Sequence, residues 1–245
     1  MWLMTSRRDI RVFRARVVSV AVLVAGLVWV GAASASNRQL GSGCPNPEGQ
    51  QCLGKLAPGT YKTVVFSPTV TYTVPRGWTN FEDTPGTFLL VPSRGDLPGV
   101  NAGTSDFIGI YTSVAAETRS CNPRLAPGVG SRPAAIAKWI RKQHGLVSKQ
   151  PQPVVIGGLK GVSIDVALAR GSGLRCPGYA PPYFPILYGL SPSSLDHGVI
   201  PGLTWRLYLL AFRTGTLAIE VNDLAHGRHL AEYTALVKKL KFSPR

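Results

Sequence analysis

Trp205-Arg206-Leu207-Tyr208-Leu209-Leu210-Ala211-Phe212 and Leu217-Ala218-Ile219-Glu220-Val221, joined through Thr214-Gly215, read as a β-hairpin. A tight turn between two apolar runs makes the strands antiparallel, because parallel neighbours need a long crossover between them. The same reading extends upstream. In Thr69-Val70-Thr71-Tyr72-Thr73-Val74 the residues Val70, Tyr72 and Val74 share one face and the threonines the other. That period of two marks a half-buried strand. The run from Tyr61 to Phe66 leads into it, and Phe88 to Val91 and Phe107 to Tyr111 are further strands between Gly, Pro and Asp turns. Gly157-Gly158 then turns into Val162, Ile164, Val166 and Leu168 at alternate positions.

Two segments switch to the helical period. Ser131 is a candidate N-cap, Pro133 suits a first turn, and Ile136, Trp139 and Ile140 form an i, i+3, i+4 stripe. Leu230, Tyr233, Leu236, Val237 and Leu240 line one side of a closing helix, with Phe242 after it. The expected class is therefore α+β, with a mainly antiparallel sheet flanked by helices. Such a sheet is not doubly wound, so dinucleotide binding at a switch point is not expected.

The order of these pieces carries a resemblance. Tyr72-Thr73-Val74-Pro75-Arg76-Gly77-Trp78 ends one strand, and a strand at Phe88 to Ser93 and another at Asp106 to Ser113 follow. A helix, the Gly157-Gly158-Leu159-Lys160-Gly161 strand start, a hairpin and a helix running into Leu240-Lys241-Phe242 complete it. From Tyr61 to Phe242 the chain resembles the PsbP-like fold, found in the extrinsic PsbP subunit of photosystem II and in small bacterial envelope lipoproteins. The resemblance implies an α/β/α sandwich and a role in binding or stabilising partners rather than in catalysis. It carries over no functional residue. Residues 171–203 form a long insertion relative to that pattern.

The N-terminus reads as an export signal. Arg7, Arg8, Arg11, Arg14 and Arg16 precede an uncharged stretch whose centre, Val20 to Val30, is almost wholly aliphatic. Ala33-Ser34-Ala35 then supplies the small side chains a signal peptidase accepts. Residues 1–35 are expected to be removed, residues 36–58 to form a Gly/Pro-rich lead-in, and residues 59–245 to fold as one domain. An uncleaved anchor is the alternative, since about 20 apolar residues suffice to span a bilayer. Ser6-Arg7-Arg8 is similar to a twin-arginine signal, but Asp9-Ile10-Arg11 lacks the hydrophobic pair.

All four cysteines, Cys44, Cys52, Cys121 and Cys176, lie beyond the signal. An even count in an exported chain points to two disulfides in an oxidising compartment. Of three possible pairings, a local clip Cys44–Cys52 and a long link Cys121–Cys176 are favoured. A zinc site is not expected, because no C-x-x-C pair exists. The net charge of +15 falls by four to +11 once the five arginines and Asp9 are removed. Outside the cytoplasm the matching polyanions are cell-wall polymers and anionic lipid head groups. These, or an envelope protein, are the expected partners, and nucleic acid is not.

No catalytic set stands out, and neither a cofactor nor a metal is expected. Tyr179, Tyr183, Phe184 and Tyr188 sit on a proline-stiffened loop and are the candidate ligand-binding residues, as stacking surfaces for a sugar or peptide. The competing expectation is that their rings cover the sheet. Asp223, His226 and His229 recur every three residues at the start of the last helix, where Asp223 serves more simply as its N-cap. Asp196-His197 near Ser191, Ser193 and Ser194 is the weak basis for the alternative function, an exported hydrolase of wall polymer or ester. G-x-S-x-G is absent. Lys138, Arg141, Lys142, Lys149 and Lys160 are candidates for an anion-facing surface. N-terminal sequencing of the secreted chain is expected to begin at Ser36; a start at or near Met1 would identify the apolar stretch as an anchor.

Overall fold

The computed structural model describes residues 43–177, 181–193 and 195–244. The expected signal and Tyr179 lie outside them. In chain order the elements are β1 (Gly54–Leu56), β2 (Gly59–Lys62), β3 (Thr69–Val74), β4 (Trp78–Asp83), β5 (Thr87–Pro92), β6 (Phe107–Tyr111) and β7 (Val114–Ala116). Helix α1 (Pro133–Arg141) is followed by β8 (Leu146–Ser148), β9 (Gln152–Ile156) and β10 (Leu159–Leu168). Then come β11 (Phe184–Gly189), β12 (Asp196–Val199), β13 (Thr204–Phe212), β14 (Gly215–Asp223), α2 (Leu230–Val237) and β15 (Lys241–Ser243).

Nine strands form one sheet in the order β1-β4-β5-β6-β14-β13-β10-β8, with β9 also on β10. The β12-β11-β7 and β15-β3-β2 sheets are smaller. Every ladder between these strands is antiparallel, as the hairpin at Thr214-Gly215 requires: Phe212 pairs Gly215 and Thr204 pairs Asp223.

Alternation splits the central strands between two cores. Leu89, Val91, Phe107, Tyr111, Trp205, Leu207 and Leu209 point to one face, where Ile136, Ala137 and Ile140 of α1 meet them. Phe88, Leu90, Ile108, Ile110, Leu217, Ile219 and Val221 point to the other, against Val70 and Tyr72 of β3 and Tyr233 and Val237 of α2. Burying each such large side chain contributes roughly 1.5–3 kcal/mol. Gly157 and Gly158, at φ +55° and +87°, make the β9–β10 turn that β-branched residues would resist.

Within the lead-in, Gly54 to Leu56 pair with β4, and Leu56 is buried. Three local expectations are corrected. The first strand stops at Lys62, because the Val64, Val65 and Phe66 N–H groups turn to donate to the buried Asp83 carboxylate at 2.6, 3.2 and 2.7 Å. Arg132, not Ser131, holds the N-cap position of α1 without a side-chain cap, since the Ser131 carbonyl instead accepts from the Thr216 hydroxyl at 2.6 Å. The last helix begins at Leu230, so Asp223 ends β14 and His226 lies in a loop.

Both expected disulfides are formed, Cys44–Cys52 and Cys121–Cys176. They suit an oxidising compartment. No helix among the described residues is long and apolar enough to cross a membrane. The second bridge closes 55 residues against 8 for the first. Replacing Cys121 and Cys176 by Ala is expected to cost about 4 kcal/mol in urea denaturation, and the Cys44/Cys52 pair about 2.5 kcal/mol.

Candidate functional site

The α1-side face of β14 is apolar at Ala218 and then turns polar at Glu220 and Asn222, both almost fully buried. Strand β12, from the insertion, brings His197 over them. Its Nδ1 lies 2.7 Å from the Glu220 carboxylate and 3.4 Å from the Tyr111 hydroxyl. Tyr111 reaches this point because Gly109, two residues earlier on β6, has no side chain and its ring lies over that glycine. The Tyr111 and Phe107 rings meet the imidazole edge-on at 5.2 and 6.1 Å between centroids.

Burial opposes a charge on His197, but the Glu220 carboxylate, with Asp196 and Glu82, outweighs it and raises the imidazole pKa above its ordinary value. Beside it stands a buried acid, Glu117, next to Asp196. Glu117 is fully buried, and burial together with the charge of Asp196 pushes its pKa up to about 9. At neutral pH Glu117 keeps its proton. Burial also raises Glu82, partly offset by the Thr84 hydroxyl and by His197.

His197 and Asp196 divide two hollows. One, of about 250 Å³, is walled by Tyr183, Ile200, Glu220 and Asn222. The other, of about 570 Å³, runs between the Cys44–Cys52 clip and the insertion, past Glu48, Glu82 and Tyr111. Among the described residues, neither wall carries a Lys or Arg. The Asn222 Oδ1 is buried with no hydrogen-bond partner among the described residues, as is the indole N–H of Trp205 across the ladder.

Asp196-His197, singled out from the sequence, comes together with Glu220 of the hairpin. Asp165 lies on the α2-side face, bridging Arg206 at 2.6 Å and Lys149 at 3.1 Å, and these two cations hold its carboxyl low against the opposing effect of burial. The aromatic insertion mostly covers the sheet. Phe184 is 0 % exposed, under the Arg119 guanidinium, and Tyr183 is buried, so the expected stacking platform is absent at these two positions. Tyr183 contributes only to a hollow's wall, and half-buried Tyr188 pairs with Asp196 and Ala115 in the small sheet.

Asp223 and His229 do approach, joined by Asp106 rather than His226, with one ligand atom from each within 4.8 Å of the others. Their oxygens are already engaged in capping. Asp223 accepts from the Ala225 and His229 N–H groups, and Asp106 from the Leu224 N–H and the Tyr233 hydroxyl. His226 is exposed in the left-handed region at φ +56°.

A second surface lies on the outer side of α1. Lys138, Arg141 and Lys142 surround a hollow of about 460 Å³ floored by Ala137, Pro151 and Val162. On the same sheet face, by strand parity, Val155 is 62 % exposed and pairs with exposed Lys160.

Neither a known protein family nor a curated protein matches this sequence. Among solved structures it is similar to the solution structure of cyanobacterial PsbP (CyanoP) from Synechocystis, at 6 % identity over 77 % of this chain and 94 % of that one, with a TM-score of 0.35. The PsbP-like resemblance read from the sequence agrees with this match. A likeness at that level transfers neither ligand nor activity.

The buried Glu117 has a pH consequence. Its folded pKa lies above the unfolded value of about 4.3, so the folded chain binds more protons between the two and loses stability as pH rises. Glu117→Gln keeps the side chain's size and removes the titration. Denaturation from pH 5 to 8 is expected to show the variant gaining on the parent by up to about 1.4 kcal/mol per pH unit, with no gain below pH of about 4.

Proposed function

We propose that this chain is an exported, non-enzymatic accessory domain on a PsbP-like α/β/α sandwich, docking on an anionic surface of the cell envelope through the outer side of α1. The supporting observation is the segregation of charge. Of the eleven acidic residues after Asp9, only Glu48, Asp96 and Glu232 are exposed, and Glu232 pairs with Arg94 at 2.9 Å. Every described Lys and Arg except Arg206 is exposed. The outward field is thus more positive than the net charge alone implies.

The α1 side suits a lipid surface better than a polymer. Its cations ring an apolar floor, and exposed Val155 extends that floor toward the sheet edge. A lipid head-group layer meets both characters, with anionic phosphates for the cations and acyl boundary for the apolar groups. A highly hydrated polyanion has no use for the apolar part. The two disulfides favour the same extracytoplasmic setting.

One observation favours the rival reading, an exported hydrolase: the His197–Glu220 contact in a cleft beside a carboxyl pair. That reading requires turnover lost in His197→Ala, which docking does not.

Vesicles containing anionic phospholipid are expected to retain the protein, and added salt to release it. Replacing Lys138, Arg141 and Lys142 by Gln should weaken binding on the order of a hundredfold, from about 1 kcal/mol per basic residue. Replacing exposed Lys238 and Lys239 after α2 should change it little. Equal effects at both sites, or equal retention on neutral vesicles, would sink the assignment to α1.

A further inference from the structure

We propose that the hollow beside α1 binds a single-chain amphiphile with a phosphate head, one molecule at a time and from solution. The inference rests on the reading of the α1 side as the lipid-facing surface and goes further. Docking needs only a bilayer surface, whereas this site holds one amphiphile away from it.

The first support is the floor. The hollow measures about 460 Å³ and is lined by Ala134 and Ala137 of α1, by Val162 of β10 and by Pro151. That volume falls within the range of small-ligand sites, roughly 300–1,000 Å³. Among the described residues, Gln150 is the one uncharged polar side chain in the wall. A hydrocarbon chain covers such a floor without bringing a polar group that the floor cannot match. Inside a bilayer the same chain already has apolar neighbours and gains little by moving. The gain belongs to a chain that otherwise sits in water.

The second support is charge. Lys138, Arg141 and Lys142 line the hollow, are exposed, and make no ion pair among the described residues. No Asp or Glu among those residues lines it. Spacings of three and four set Arg141 and Lys142 beside Lys138 on the helix, where like charges repel. One anionic group among the three relieves both repulsions. A phosphate monoester carries about 1.5 to 2 negative charges at neutral pH and does so more fully than a carboxylate.

The two supports also fix an orientation. The cations lie toward the C-terminal end of α1 and Ala134 toward its N-terminal end. The head therefore sits by Arg141 and Lys142, and the chain runs back over Ala137 to Ala134. That path is about 10 Å along the helix axis, so a long chain is covered in part.

Calorimetric titration of the purified protein with dodecyl phosphate, kept below its micelle concentration, tests this directly. Binding is expected at submillimolar Kd. Octyl phosphate should bind about tenfold more weakly or worse, since a buried methylene is worth about fourfold and a half-covered one about twofold. Dodecanoate should bind a few-fold more weakly, dodecyl maltoside about tenfold or more, and inorganic phosphate not measurably. Replacing Lys138, Arg141 and Lys142 by Gln should bring dodecyl phosphate down to the level of dodecyl maltoside. Ala134→Trp, at an exposed position, should weaken it about tenfold by filling the hollow. Circular dichroism shows whether each variant is folded, and the chain-length series on the parent carries the test if one is not. Vesicle retention without dodecyl phosphate binding would overturn this proposal and leave docking standing; the opposite pair of results would do the reverse. Dodecanoate or dodecyl maltoside binding as tightly as dodecyl phosphate, no loss from dodecyl to octyl phosphate, or unchanged affinity in a folded Ala134→Trp would also overturn it.

Discussion

Burial on both faces of the β5–β6–β14–β13 layer removes water from any polar group set there, and each carboxyl in or beside it must find donors or keep its proton. The chain uses both solutions. Asp83 gathers three consecutive N–H groups and thereby folds the Val64–Phe66 turn onto the sheet. Asp106 and Asp223 hold the loop between β14 and α2 by accepting from Leu224, Ala225 and His229 N–H groups. Glu117 has no such ring of amides, so it stays protonated against Asp196. Glu220 takes the imidazole of His197. Structural need therefore draws most acids inward, and the basic exterior follows from that inward demand as much as from the number of lysines and arginines.

The same rule separates what could be read from the sequence from what could not. Period-two alternation in Thr69–Val74 and in the Trp205–Val221 hairpin is a local property, visible in adjacent letters, and the strands fall where it places them. The disulfide pairing was accessible because a close pair and a distant pair left few sensible alternatives. The roles of Asp83, Asp106 and Glu117 were not accessible. Each depends on partners far along the chain: 17 to 19 residues for Asp83 and 118 and 127 for Asp106. Of the candidate site, Asp196-His197 stood out as a pair of letters, while Glu220 looked like one polar break in a strand. Only the register that sets Glu220 opposite Gly109 and beside Tyr111 makes them one site.

The insertion drew attention for its aromatic residues, and its packing shows why two of them, Tyr183 and Phe184, are turned inward. An extra segment of some thirty residues adds apolar surface that must itself be buried, and the sheet face left open beside α1 is where that can happen. Phe184, Ile186, Leu187, Leu195 and Val199 do so. Rings rich in apolar area are drawn first into that interface, which leaves polar neighbours between the anchors to face outward. Asp196 and His197 are such neighbours, flanked by buried Leu195 and Val199 and tied through β11 to Ala115 and Ala116 of β7. Cys176, bonded to Cys121, fixes the segment at its start.

It follows that the cleft and the roof of the core are one construction. Lifting β12, which carries His197, away from the sheet would expose Val199 and Leu195. Opening this edge would expose two fully or nearly fully buried aliphatic side chains, roughly 1.5–3 kcal/mol each. That cost exceeds the gain from rehydrating a single imidazole–carboxylate contact whose imidazole is already 27 % exposed. The strand that carries these polar groups is thus anchored by its apolar neighbours more than by the polar contacts themselves.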